Sequence, residues 1–222
     1  MLEKMDAFFE ARLDGYDEHM LTEIEGAEEF YPFTAGCLPE APGARILDLG
    51  CGTGLELEYL FMRNPAAEVT GIDLSAGMLG SLREKFPGKA LRLIQGSYFE
   101  VPLGEGYDAA VSVESLHHFT REEKTELYRR LRGALKEGGY FILTDYFAHE
   151  PAFEVFCRSE LNRLKAEQGI ADDAFYHYDT PLTLENETGA LLDAGFSRVT
   201  VLKNWGATYT IQAEASGERQ AV

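Results

Sequence analysis

The segment Ile46-Leu47-Asp48-Leu49-Gly50-Cys51-Gly52-Thr53-Gly54 constrains the chain more than any other. An apolar run ends in three alternating glycines, and Leu55 then opens a run with helical periodicity, so a strand must turn into a helix through a sharply bent backbone. Such a junction lets a ligand approach the main chain at the end of the strand. Two common uses of it do not fit. A dinucleotide fingerprint counted from Gly50 or Gly52 needs a third glycine at 55 or 57, and both positions are Leu. A phosphate-binding P-loop needs a lysine, and none is near. Asp48, just before the first glycine, suits a ligand with a positive group rather than a pyrophosphate.

The pattern around this turn repeats. Strand-like runs at 44–49, 67–73, 91–96, 107–113 and 139–146 alternate with helix-like runs at 55–63, 76–86 and 121–136, which predicts a parallel sheet with helices on both faces. A helix over 184–195 precedes runs at 197–204 and 207–215, joined at Trp205-Gly206. So short a link makes the pair antiparallel, and the hairpin is placed at the sheet's edge. Leu2, Met5, Phe9, Leu13, Tyr16, Met20 and Ile24 stand at helical spacing and predict one or two N-terminal helices. Residues 31–43 read as a Pro/Gly-rich linker, and 147–182 as a largely helical insertion. The expected organisation is a single domain, 1–222, with a helical cap (1–36), a core (37–146 and 183–215) and a lid or acceptor insertion (147–182).

The second strand ends in Gly71-Ile72-Asp73-Leu74-Ser75, which puts Asp73 where an acid accepts hydrogen bonds from ribose hydroxyls in nucleotide-binding sheets. The ordered segments ILDLGCGTG, GIDLSAGML, QGSYFEVP, YDAAVSVESLHHF and LRGALKEGGYFILTDY resemble the class I S-adenosylmethionine (SAM)-dependent methyltransferases. That resemblance covers 44–146 and 183–214. It implies an α/β, Rossmann-like, seven-stranded, mostly parallel sheet with an antiparallel C-terminal strand, and SAM as cofactor with S-adenosylhomocysteine as product. By the same resemblance Asp48 and the backbone of Gly50, Cys51, Gly52, Thr53 and Gly54 hold the methionine moiety. Asp73 takes the ribose, and Leu74 and Met78 lie against the adenine. Where the family usually has an acid after the glycine of the third motif, Ser97 and Tyr98 follow Gly96. The strand segment ending at Glu114 lies beside the sulfonium, and Tyr16 reaches over the cofactor.

Bound SAM brings its own reactivity, so the chain need only align a nucleophile, exclude water and remove a proton. His117 and His118 follow the fourth strand, where a histidine can act as a base near neutral pH or hold structure. Glu114 can steer a cationic acceptor or bond a backbone amide. In the insertion, Tyr176 belongs to the cluster Phe175-Tyr176-His177-Tyr178-Asp179, whose aromatics can line an apolar or cation–π pocket. No set of metal-binding carboxylates is evident at the acceptor edge, so no metal is expected.

The formal charge of the 222-residue chain is −18. Ten acids against two bases lie in residues 1–30, and ten against three in 145–188, the segments expected to cover the site. Such a charge argues against gripping nucleic acid through its phosphates and against a polybasic membrane surface. Three cysteines with no CxxC pair argue against a disulfide framework or a zinc site, and with no signal-peptide or membrane-span pattern they point to the cytoplasm. The expected activity is methyl transfer to a small-molecule acceptor, cationic or aromatic, and a homodimer is an admissible assembly. The alternatives are an RNA or protein methyltransferase, and a SAM-binding regulatory or assembly protein without turnover.

Overall fold

The computed structural model describes residues 1–171 and 174–215. Strands β1 (Arg45–Leu49), β2 (Glu68–Asp73), β3 (Ala90–Gln95), β4 (Tyr107–Val113), β5 (Leu135–Tyr146), β6 (Arg198–Trp205) and β7 (Thr208–Glu214) form one sheet in the order β3-β2-β1-β4-β5-β7-β6. The first five are parallel, and β7 runs antiparallel to both β5 and β6. The β6–β7 hairpin therefore forms one edge of the sheet, as its sequence predicts, with the reversed strand β7 inside and β6 on the rim. The reason is burial. β7 carries the fully buried Ile211 and Ala213 and goes inside against β5, whereas β6 exposes Val201 and Leu202 and takes the rim.

Both faces of the sheet are covered, because alternate residues of these apolar strands point to opposite sides. On one face α3 (Ala27–Gly36), α4 (Leu55–Arg63) and α5 (Ala76–Lys85) pack over Ile46, Val69, Val111 and Ile142. On the other, α6 (Arg121–Ala134) and α8 (Leu184–Asp193) pack over Leu47, Leu49, Phe141 and Leu143. Two short helices, α1 (Met5–Glu10) and α2 (Tyr16–Glu23), precede α3, and α7 (Pro151–Glu167) opens the insertion. Part of the expected 31–43 linker is helix: α3 continues through Pro32 to Gly36. Proline costs a helix one hydrogen bond. Here burial of Phe30, Tyr31 and Ala35 outweighs it, and Thr34 adds an Oγ1–Oγ1 contact of 2.5 Å to Thr144 on β5.

Local chemistry sets the other helix ends. Thr120 and Glu123 form a reciprocal capping box on α6, and the Thr183 hydroxyl caps α8. After α7 the chain returns extended over the site. Met5 N–H donates to Phe175 O and His177 N–H to Glu3 O, both at 3.0 Å, and Thr180 N–H donates to His117 O at 2.9 Å. This segment thereby ties the N-terminus to the loop after β4. Among the described residues no helix is long and apolar enough to cross a membrane.

Helices α6 and α8 are joined by Lys124 Nζ, 2.6 Å from Glu187 Oε2, with Tyr128 OH donating to the other oxygen. Both charged side chains are 1% exposed. Lys124→Met leaves the buried Glu187 charge uncompensated and should cost about 3–5 kcal/mol in urea unfolding. A loss under about 1 kcal/mol would show that the pair does not hold the two helices together.

Candidate active site

The turn after β1 is held by its neighbours. Gly50 sits at φ 73°, and a side chain there would bring Cβ to 2.0 Å from Ser115 Oγ, so only glycine fits. Gly52, at φ 48°, has nothing within 4 Å of where a Cβ would stand, and its N–H donates to Asp73 Oδ2 at 2.9 Å. Asp73 Oδ1 accepts from Ser75 N–H at 2.9 Å, so the acid at the end of β2 ties the two strand-end loops together.

Beneath this turn Asp48 is 1% exposed, and neither of its carboxylate oxygens has a hydrogen-bond partner. Glu56, in the first turn of α4, is 4% exposed and has one unpartnered oxygen. Burial pushes the Asp48 pKa well above the carboxylate range, and the Glu56 and Asp73 carboxylates add to it. A buried, unpartnered acid is costly unless a cationic donor meets it. The α-ammonium of a methionine moiety is such a donor, so the residues present fit SAM.

The N-terminal helices clamp both sides of this turn. Glu10 Oε2 accepts from Ser75 Oγ at 2.6 Å and from Gly77 N–H at 3.1 Å, at the start of α5. Asp17 accepts from the Thr53 hydroxyl and pairs with Lys85 at 2.6 Å. Tyr16 is half-buried between them, and burial, with the Asp73 charge, raises its phenol pKa.

A cavity of about 760 Å³ opens between these helices and the ends of β4, β5 and β7. Tyr16, Glu114, His117, His118, His177 and Asp179 reach its wall. Glu114 adopts φ 48°, an uncommon conformation for a residue with a side chain, and its Oε1 accepts from Thr208 Oγ1 at 3.2 Å. Burial and the Asp145 charge push its pKa up to about 8. His117 Nδ1 is 2.5 Å from Asp145 Oδ1, while its Nε2 lies 3.5 Å from Asp179 Oδ1. Burial lowers the His117 pKa, but the Asp145 and Asp179 carboxylates outweigh it and hold it well above the usual value. His118 Nδ1 faces Asp179 Oδ1 at 3.3 Å and Tyr178 O at 3.2 Å, and burial with the His117 charge pushes its pKa well down.

The other residues singled out in the sequence fall around this centre. Cys51 is buried under the turn, Leu74 is half-buried, and Met78 is buried with its N–H capped by Ser75 Oγ. Ser97 Oγ accepts from Phe99 N–H at 3.2 Å, and Tyr98 OH reaches Ser115 at 3.2 Å. Gly54 lies at the N-cap of α4. Tyr176 stands apart. Extended chain alternates its faces, so His177 and Asp179 reach the cavity whereas the Tyr176 ring lies under Lys165, 5.2 Å away. Asp145 and Thr208 are the residues the sequence did not single out, and Asp179 was named only as the last member of the Phe175–Asp179 cluster. Their only local signal is an acid or hydroxyl at a strand end or beside an aromatic cluster, and the fold alone brings them to His117 and Glu114.

Comparison with known proteins agrees with this geometry. A methyltransferase-domain family model matches residues 46–139. An uncharacterized methyltransferase of Synechocystis sp. is 31% identical over 197 residues, covering 87% of this chain and 86% of the relative. A trans-aconitate 2-methyltransferase of Paracidovorax citrulli is 37% identical over 106 residues, 48% of this chain and 40% of that protein. A crystal structure of a putative O-methyltransferase from Nostoc punctiforme superposes with a TM-score of 0.71 at 22% identity, over 96% of this chain and 61% of that one. The chain is a SAM-dependent methyltransferase and belongs to the class I family.

Proposed function

We propose that the methyl acceptor is a small molecule, cationic or aromatic, bound in the cavity with its nucleophile at Glu114 and His117. The observation that carries this reading is the cavity wall. Asp14, Glu23 and Glu25 line it with no cationic partner among the described residues, alongside Phe8, Phe9 and Trp205. Carboxylates and aromatic faces together suit a cation or an electron-rich ring. The acidic wall is poorly suited to a polycarboxylate such as the trans-aconitate named for one relative. RNA is disfavoured because Arg129 and Arg130 on α6 and Lys136 at the start of β5 are already engaged. Arg130 donates to the backbone oxygens of Phe99 and Val101, Arg129 pairs with Glu126, and Lys136 pairs with Asp108. The three cysteines are free thiols, in keeping with a cytoplasmic setting.

Bound SAM supplies a methyl carbon on a positively charged sulfur. Asp48, the Gly50–Gly54 backbone and Asp73 would hold the cofactor, Leu74, Met78, Ser97 and Tyr98 would contact its nucleoside, and Tyr16 would cover it. Glu114, held by Thr208, takes the proton of the acceptor. His117 and His118 shape the polar end of the cavity, and the cap over it excludes water.

Turnover is read as S-adenosylhomocysteine formed with a panel of amines, phenols, thiols and carboxylates. Amines and phenols should exceed carboxylates, and Glu114→Gln should lower kcat about 100-fold with SAM affinity unchanged. Tight SAM binding with no product from any acceptor would favour the regulatory reading instead.

Asp48 makes a second prediction. Its folded pKa lies above its unfolded one, so the cofactor-free protein gains stability from this group at low pH and loses it as pH rises. The ammonium requires the ionised acid, so SAM binding should release a proton and tighten from acid to neutral pH. Asp48→Asn should weaken SAM by about 10- to 100-fold in calorimetry, abolish that proton release and raise the melting temperature without cofactor. Unchanged affinity in the variant would remove Asp48 from the cofactor site.

A further inference from the structure

We propose that His117 Nε2, His118 Nδ1 and Asp179 Oδ1 form a binding site for a divalent transition-metal cation of the zinc type, with one coordination position open to the acceptor cavity. The role given below to that open position rests on the reading of the cavity as the acceptor site. The binding itself does not.

Two of the three donor separations fit a tetrahedral ion. Asp179 Oδ1 stands 3.5 Å from His117 Nε2 and 3.3 Å from His118 Nδ1. Ligands of a tetrahedral ion with bonds of about 2.0–2.1 Å lie about 3.3–3.4 Å apart. The three atoms fall within 4.8 Å of one another. At 3.5 Å the His117–Asp179 contact is long for a hydrogen bond.

The surrounding contacts match those of a metal-binding imidazole. A ligating histidine characteristically gives its other ring N–H to a carboxylate, which fixes the tautomer and the ring. His117 Nδ1 lies 2.5 Å from Asp145 Oδ1, and Asp145 Oδ2 is itself held by Leu116 N–H at 3.0 Å. The His117 and His118 rings sit side by side with centroids 4.0 Å apart. The hydrogen bond from Thr180 N–H to His117 O brings Asp179 to them.

Charge supports the assignment. Glu114, Asp145 and Asp179 surround the cluster, and among the described residues no Lys or Arg pairs with any of them. His118 Nδ1 also faces the Tyr178 carbonyl at 3.2 Å, so it ligates only in the tautomer that leaves that nitrogen unprotonated. Two imidazoles and one carboxylate favour Zn²⁺ or Fe²⁺ over Mg²⁺ or Ca²⁺, which prefer oxygen. Three protein ligands leave the open position typical of a catalytic site. All three residues line the cavity, and the Asp179 side chain is 53% exposed, so a cation can enter from there. An acceptor hydroxyl oxygen bound at that position would give its proton to Glu114, whose carboxylate lies 3.9 Å from His117. This points to an oxygen nucleophile.

The test uses Co²⁺ as the probe on the full chain, stripped with a chelator. The expected result is one Co²⁺ per chain with the intense visible absorption of a four- or five-coordinate ion, displaced by Zn²⁺ and not by Mg²⁺. Asp179→Asn and His118→Ala should abolish the band, and Asp145→Asn should weaken binding about 10- to 100-fold. His149→Ala, at an exposed histidine elsewhere, should retain it. S-adenosylhomocysteine binding, measured on every variant, reports folding and tests the cofactor reading independently. No visible band, or a band that survives Asp179→Asn and His118→Ala in variants that still bind S-adenosylhomocysteine, would overturn the metal site.

Discussion

Asp48 lies near the carboxyl end of β1 with both oxygens buried and unpartnered, and much of the site is arranged around that unsatisfied acid. The glycine turn passes over it because no side chain fits at Gly50. Asp73 on the next strand fixes the turn through Gly52 N–H, and Glu56 adds a second buried acid. Polar groups are usually satisfied within a fold, so a pair left open at a strand end marks where a ligand supplies the missing donor. The rest of the sheet keeps this strand in place between β2 and β4.

The N-terminal acids serve several purposes. Glu10 and Asp17 are consumed in fixing the cap to the cofactor turn, and Glu29 accepts from the Trp205 indole and Lys203. Asp14, Glu23 and Glu25 face the cavity instead. The excess negative charge is therefore divided between anchoring the N-terminal helices and lining the cavity proposed for the acceptor. Because cap and cavity share α1 and α2, a change of acceptor preference should be reachable by substitution there without touching the sheet.

Sequence and structure agree where the signal is local. The strand, the glycine turn and Asp73 lie within 30 residues, and spacing alone places them together. The parallel sheet and its antiparallel C-terminal hairpin follow from the alternation of apolar and amphipathic runs, whereas the spatial order of the strands does not. What could not be read depends on long-range burial. Pro32 suggests a break, yet Phe30 and Tyr31 draw their segment into the core as helix. Within the hairpin, β7 takes the place beside β5 and leaves β6 on the rim because its apolar residues are better buried. The partners of His117 come from 28 and 62 positions away, Asp145 at the end of β5 and Asp179 on the returning insertion. Tyr176 looked like the functional aromatic of its cluster, but the alternation of extended chain turns its neighbours inward.

The proposed reaction needs the cofactor turn and the cavity to be two halves of one site. A crystal structure of the complex with S-adenosylhomocysteine tests this directly. The expected complex has the amino group of the ligand at Asp48, its ribose at Asp73 and its sulfur facing Glu114 across the mouth of the cavity. A ligand bound with its sulfur turned away from Glu114 and His117, or sealed from the cavity by Tyr16, would contradict it.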